Sequence, residues 1–135
     1  MQKRLTLKLM AAAVALLAGT VVHAQQTIKI ANIVELSGGG ATAGTNFKNG
    51  VELAVKEINA AGGILGKKIV TVTSDTQSNP GVAKGLTQKA VDDDVFAIFG
   101  PVFSGSIMVS MAESRRAEVP NWTDRKSTRL NSSHS

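Results

Sequence analysis

The 135-residue chain has no cysteine, no tyrosine and only two histidines, and its other aromatics are four Phe and one Trp. Without cysteine it can form no disulfide framework, offers no thiolate to a metal, and carries no thiol for a lipid anchor. The histidines lie near the two ends, at His23 and His134, so residues 25–123 contain no imidazole. A Ser-His-Asp arrangement and histidine-based acid–base or zinc chemistry are therefore excluded from that stretch, and no serine there has a histidine base to activate it. Excess charge is also missing from the middle of the chain. The formal net charge is +5, but Lys3, Arg4 and Lys8 precede residue 25, and Arg125, Lys126 and Arg129 stand with Asp124 after residue 123. Residues 25–123 hold nine Lys or Arg and nine Asp or Glu. The basic sequence pI thus gives no reason to expect a nucleic-acid partner or a membrane surface.

The two ends read differently from the middle. Residues 1–24 combine a basic start, an apolar run at 9–18 (LMAAAVALLA) and Val22-His23-Ala24 in the positions that precede a cleavage site. This is the pattern of a secretory signal peptide, with cleavage expected after Ala24, and the run is short for a bilayer about 30 Å thick. The mature product is expected to be soluble outside the cytoplasm, with no insertion in the membrane once the signal is removed. Residues 124–135 (DRKSTRLNSSHS) shift abruptly to Ser, Arg, Lys and Asn with no apolar period. They resemble the conceptual translation of a sequencing adapter, and the expectation is a non-native tail on a truncated chain.

Between the ends, strand and helix patterns alternate. Residues 27–34 (TIKIANIV) read as a strand entering a buried sheet, followed by a glycine-rich turn at 36–44 (LSGGGATAG). Phe47, Val51, Ala54, Val55 and Ile58 recur at helical spacing, with Gly62-Gly63 as the stop. Residues 67–74 (KKIVTVTS) predict a second strand, and Asn79-Pro80 starts a helix whose apolar stripe is Val82, Ala83, Leu86, Ala90 and Val91. Residues 95–99 predict a third strand, 106–116 a third helix, and 119–123 the beginning of a fourth strand. Short alternating units of this kind imply right-handed crossovers and a parallel α/β sheet with helices on both faces. Ligands of such sheets bind outside the carboxyl ends of the strands, where the loops 36–44, 75–79 and 100–106 are expected.

Residues 95–106 (VFAIFGPVFSGS) are the centre of this reading. A buried strand, a Gly100-Pro101 break and then Ser104-Gly105-Ser106 put hydroxyl groups at a helix N-terminus, where free N–H groups and the dipole favour an anion. The same serines would serve equally well as ordinary caps. Gly38-Gly39-Gly40-Ala41-Thr42-Ala43 fits the G-x-G-x-x-A fingerprint of a dinucleotide-binding enzyme, but Asp75 lies well beyond the usual spacing of about 20 residues for ribose recognition. No cofactor is expected. Asp92-Asp93-Asp94 reads as a solvated loop, since consecutive residues cannot all face one cation.

The segments 48–66 (KNGVELAVKEINAAGGILG), 75–80 (DTQSNP) and 98–106 (IFGPVFSGS) resemble the solute-binding proteins of branched-chain amino-acid ABC transporters, and the resemblance runs from 27 to 123. It implies the type I periplasmic-binding-protein fold, a two-lobed Venus flytrap, of which residues 25–123 would form the first part of lobe one. The implied function is capture of an amino acid or related carboxylate in the periplasm for an inner-membrane ABC permease, without enzymatic activity; a sensor or receptor domain is the alternative. By the same resemblance Ser104, with the amides of Gly105 and Ser106, would hold the ligand carboxylate and Phe103 would line the wall. Ala43 stands where the family often has a tyrosine against the ligand, with Thr42 beside it. Trp122 and Thr123 are further candidates, at the end of the fourth strand.

Overall fold

The computed structural model describes residues 26–123. The signal peptide and tail expected at 1–24 and 124–135 lie outside the described residues. The elements are β1 (Thr27–Val34), a 3₁₀ turn (Gly38–Gly40), α1 (Ala41–Ala60), β2 (Lys68–Asp75), α2 (Pro80–Asp92), β3 (Ala97–Phe99), α3 (Ser104–Arg116) and β4 (Asn121–Trp122). The four strands are parallel, in the order β2-β1-β3-β4. β1 is therefore interior, and its last five residues are buried, as its turn from alternating to continuous apolar character requires.

Helices cover both faces, as the alternation predicts. Under α1, Val51, Val55 and Ile58 pack on Ile30, Ile69 and Ala97. On the opposite face Ala31, Ile33, Val95 and Ile98 meet Ala90 and Leu86 of α2. α3 lies beside α2, where the Thr87 hydroxyl donates to the carbonyl oxygen of Ala83 and shares a 2.8 Å hydrogen bond with the Ser110 hydroxyl. That buried polar contact satisfies groups an apolar core would leave bare. Asn79 caps α2, its side-chain oxygen accepting from the N–H groups of Gly81 and Val82, with Pro80 at the first helical position.

Several boundaries differ from the sequence reading, among them β2 at Lys68–Asp75 and β4 at Asn121–Trp122, where 67–74 and 119–123 were expected. The glycine-rich segment is a loop only to Ser37; it then tightens into the 3₁₀ turn, and α1 begins at Ala41. α1 can start so early because Gly44 sits against the end of β1, where a Cβ would collide with the carbonyl oxygen of Glu35. β3 is shorter than expected, and α3 begins at Ser104 instead of Ser106. β1 is continued on opposite sides by β2 and β3, so α1 and α3 start from adjacent strands on opposite faces. This is the switch point at which open parallel sheets hold ligands.

Candidate functional site

Three loops meet at the carboxyl ends of the strands, and two carboxylates tie them together. Asp75 ends β2. Its carboxylate accepts from the N–H groups of Leu36 (2.8 Å), Ser37 (3.2 Å) and Gln77 (2.8 Å) and from the Ser37 hydroxyl (2.7 Å). The Ser37 hydroxyl, ahead of these amides, holds the Asp75 carboxyl below its ordinary value, against an opposing effect of burial. The Ser78 hydroxyl donates to the Ser37 carbonyl and accepts from the Gly40 N–H, which closes the first loop on the second. Glu35, at the end of β1 and fully buried, reaches the third loop. Its carboxylate accepts from the N–H groups of Val102 (3.0 Å) and Phe103 (3.4 Å), just ahead of α3.

Glu35 settles how α3 is capped. The cap residue is Phe103, whose side chain makes no capping hydrogen bond, and neither serine does the task. A carboxylate from a neighbouring strand instead meets the positive end of the helix. Ser104, Gly105 and Ser106 are the first three helical residues, and an α-helix leaves such N–H groups without intrahelical partners. Ser104 and Gly105 are exposed. Ser106 is buried at 1 % exposure, and its hydroxyl has no protein partner, so Ser104 and Gly105 are the residues of this turn that face the open edge. The Phe103 ring is partly exposed and lies against Gly40, where any Cβ would crowd both that ring and Glu35.

The remaining candidates divide. Thr42 and Ala43 are exposed in the first turn of α1, one turn before Asn46 and Phe47. Trp122 points elsewhere: its ring stacks on Phe99 with centroids 5.5 Å apart. Both rings, with Thr123, line an open apolar groove beside α1 that also includes Phe47 and Val55. The structure thus brings Gly40, Phe103, Ser104 and Gly105 together at the switch point and puts Trp122 and Thr123 in the groove. The glycine segment opens a helix, as a dinucleotide fingerprint would, but Asp75 spends its carboxylate on the neighbouring loop.

Sequence reasoning missed Glu35 as a site residue; it placed Asp75 in a loop at the carboxyl edge but gave its side chain no role, its spacing having argued against a ribose ligand. The available signal was an acidic residue at the end of each of two apolar strands, directly before a glycine- or asparagine-containing loop. Asn32 was missed as well. It is fully buried in β1, level with Thr73 and Phe99, and neither end of its amide has a protein partner.

The parallel sheet in the order β2-β1-β3-β4, with helices on both faces, matches part of the type I periplasmic-binding-protein fold. The sequence profile of the family described as periplasmic binding protein matches residues 27–130, and the chain belongs to that family. It is 42% identical over 83 residues to a Leu/Ile/Val-binding protein, BraC3, of Rhizobium johnstonii, covering 62% of this chain and 22% of that one. Among solved structures it is similar to the branched-chain amino acid transporter substrate-binding protein LivJ of Streptococcus pneumoniae in complex with isoleucine. That match has a TM-score of 0.71 and 41% identity, and covers 73% of this chain and 28% of LivJ. A solute-binding protein of an ABC transporter from Rhodopseudomonas palustris, in complex with 3,4-dihydroxybenzoic acid, matches with a TM-score of 0.66 and 28% identity, over 72% of this chain and 26% of that one. The chain therefore spans about a quarter of the length of these relatives.

Proposed function

We propose that this chain is the first part of lobe one of an exported solute-binding protein that captures a small carboxylate, such as an amino acid, for an ABC permease. The observation that supports it best is the start of α3. At the switch point, N–H groups of the first helical turn stand beside the exposed hydroxyl of Ser104 and the Phe103 ring, a donor set suited to a carboxylate. Isoleucine and 3,4-dihydroxybenzoic acid, named with two of the similar structures, share that group. Ser104 and the adjacent amides would take the carboxylate, Phe103 would pack on the ligand body, and the second lobe would close over both. Thr42 and Ala43, at the start of α1, would flank the ligand from the other side of the switch point, and Trp122 and Thr123 would not touch it.

Calorimetry on the full-length protein tests this reading. Branched-chain amino acids should bind and their decarboxylated amines should not, and Ser104→Ala should weaken binding by about 1 to 3 kcal/mol. Equal binding of acids and amines would overturn the carboxylate reading. Unchanged affinity in Ser104→Ala would remove that side chain from the site.

A further inference from the structure

We propose that Gly40 is the positioning residue for Phe103: having no side chain, it admits the ring into the crevice between the starts of α1 and α3, and so sets how much room a ligand body finds there. This rests on the carboxylate reading of the site, in which the ligand lies against Phe103. The first observation is a lack of space. A Cβ at Gly40 would stand 2.8 Å from Cβ and 2.9 Å from Cγ of Glu35, and 3.0 Å from Cε1 of the Phe103 ring. Carbon atoms pack at about 3.5 to 4.0 Å, so the ring edge and the Glu35 stem already crowd the place of a methyl group. Backbone conformation does not call for glycine here. Gly40 has φ −93° and ψ −3°, values open to other residues, whereas Gly38 in the same turn has φ 75°. What Gly40 supplies is room.

The other groups around Gly40 are fixed, and the ring is the one that can yield. The Ser78 hydroxyl holds the Gly40 N–H at 3.0 Å and donates to the Ser37 carbonyl at 2.7 Å, which pins the turn from the second loop. Glu35 is fully buried, and its carboxylate is bound to the N–H groups of Val102 and Phe103. The Phe103 side chain is 39% exposed. A side chain at position 40 would therefore push the ring away from buried Glu35 and toward the open edge. The direction matters because Gly40 is the cap residue of α1 and Phe103 that of α3, so the ring in contact with Gly40 spans the two helix starts at the switch point. Raised toward the edge, the ring would take space beside the exposed Ser104 and Gly105, where the ligand body would lie.

The test uses the full-length protein, with isoleucine as the calorimetric probe. Gly40→Ala should weaken isoleucine binding about tenfold, the scale of forcing one methyl group into a packed site. Gly39→Ala adds the same group in the same turn, where nothing lies within 4 Å, and should leave binding within about twofold of the parent. In a Phe103→Ala background, Gly40→Ala should change binding by less than about twofold, since no ring remains to displace. A loss that persists there acts through Glu35 or the turn and would overturn the proposal. The ring is also read without ligand. With ring-¹³C phenylalanine, the Phe103 signals, identified by their loss in Phe103→Ala, should relax faster in a soluble gadolinium chelate in Gly40→Ala than in the parent. Equal relaxation would mean that the ring has not moved, and would overturn the proposal by itself. Failure of isoleucine to bind the parent strikes the carboxylate reading instead, and the relaxation comparison then still decides whether Gly40 positions the ring.

Discussion

Replacing Glu35 tests whether the carboxyl edge is held by charge from within. Its side chain is fully buried, and its two oxygens accept from Val102 and Phe103. A hydrogen bond to a charged group contributes about 1.5 to 3 kcal/mol, and a partly buried charge at a helix terminus up to about 2 kcal/mol. These overlap here, because the same N–H groups supply both, and the 3.4 Å contact is at the weak end. Glu35→Ala should therefore destabilise the fold by about 3 kcal/mol, part of it from two N–H groups left without an acceptor. Glu35→Gln keeps the shape and one acceptor but turns an N–H₂ toward a donor, and should cost about 1 to 2 kcal/mol. Urea unfolding followed by circular dichroism measures both. A Glu35→Gln protein as stable as the parent, with Glu35→Ala within about 0.5 kcal/mol of it, would show that Val102 and Phe103 reach water and that Glu35 does not cap α3.

Three further outcomes follow from single residues. Asn32→Leu should stabilise the fold by about 1 kcal/mol in the same unfolding assay, since it replaces a fully buried amide without protein partners by an apolar group of similar size. Asp75 titrates below its ordinary value in the folded chain, so its contribution is complete above the unfolded pKa and is lost as pH falls through the folded one. The acid limb of a stability-against-pH curve should accordingly flatten in Asp75→Asn, which should also be less stable at pH 7; an unchanged acid limb would mean that the Ser37 and amide contacts do not favour the charged form. Glu35→Gln in the full-length protein should improve binding of carboxylates that lack an ammonium group more than binding of amino acids. The Glu35 carboxylate repels a second anion at the start of α3, a zwitterion less than a net anion, and calorimetry on both ligand types reads the difference.

The fold was legible because its signals are local and repeated. Val51, Val55 and Ile58 mark the buried stripe of α1 at helical spacing, and the continuous apolar end of β1 marks an interior strand. Capping by Asn79-Pro80 placed the start of α2. Two of the misplaced boundaries, the starts of α1 and α3, involve glycine or serine next to another segment. Gly44 reads as part of a flexible turn, yet it is helical because it lies on the Glu35 backbone, a contact 9 positions away in sequence and invisible to periodicity. Thr87 and Ser110 are polar residues of α2 and α3 buried with partners that periodicity does not show: their hydroxyls share a hydrogen bond, Thr87 also bonds the Ala83 carbonyl, and Ser110 accepts from the Asn121 amide.

The site was half legible, and the missing half is the part contributed by other segments. Ser104-Gly105-Ser106 announces a helix start, and the helix does start there. What the spelling could not show is that a buried carboxylate from β1 occupies the amides just before it, so an incoming anion would meet the next turn and not the whole terminus. Nor could it show that Ser106 turns inward while Ser104 turns out. Backbone N–H groups carry no residue identity, so an anion site built mainly from them leaves only small residues as its trace. Its specificity must then come from the groups that fix those amides in place. In this chain Glu35 holds the amides just ahead of α3, while Asp75 and Ser78 hold amides of the two neighbouring loops.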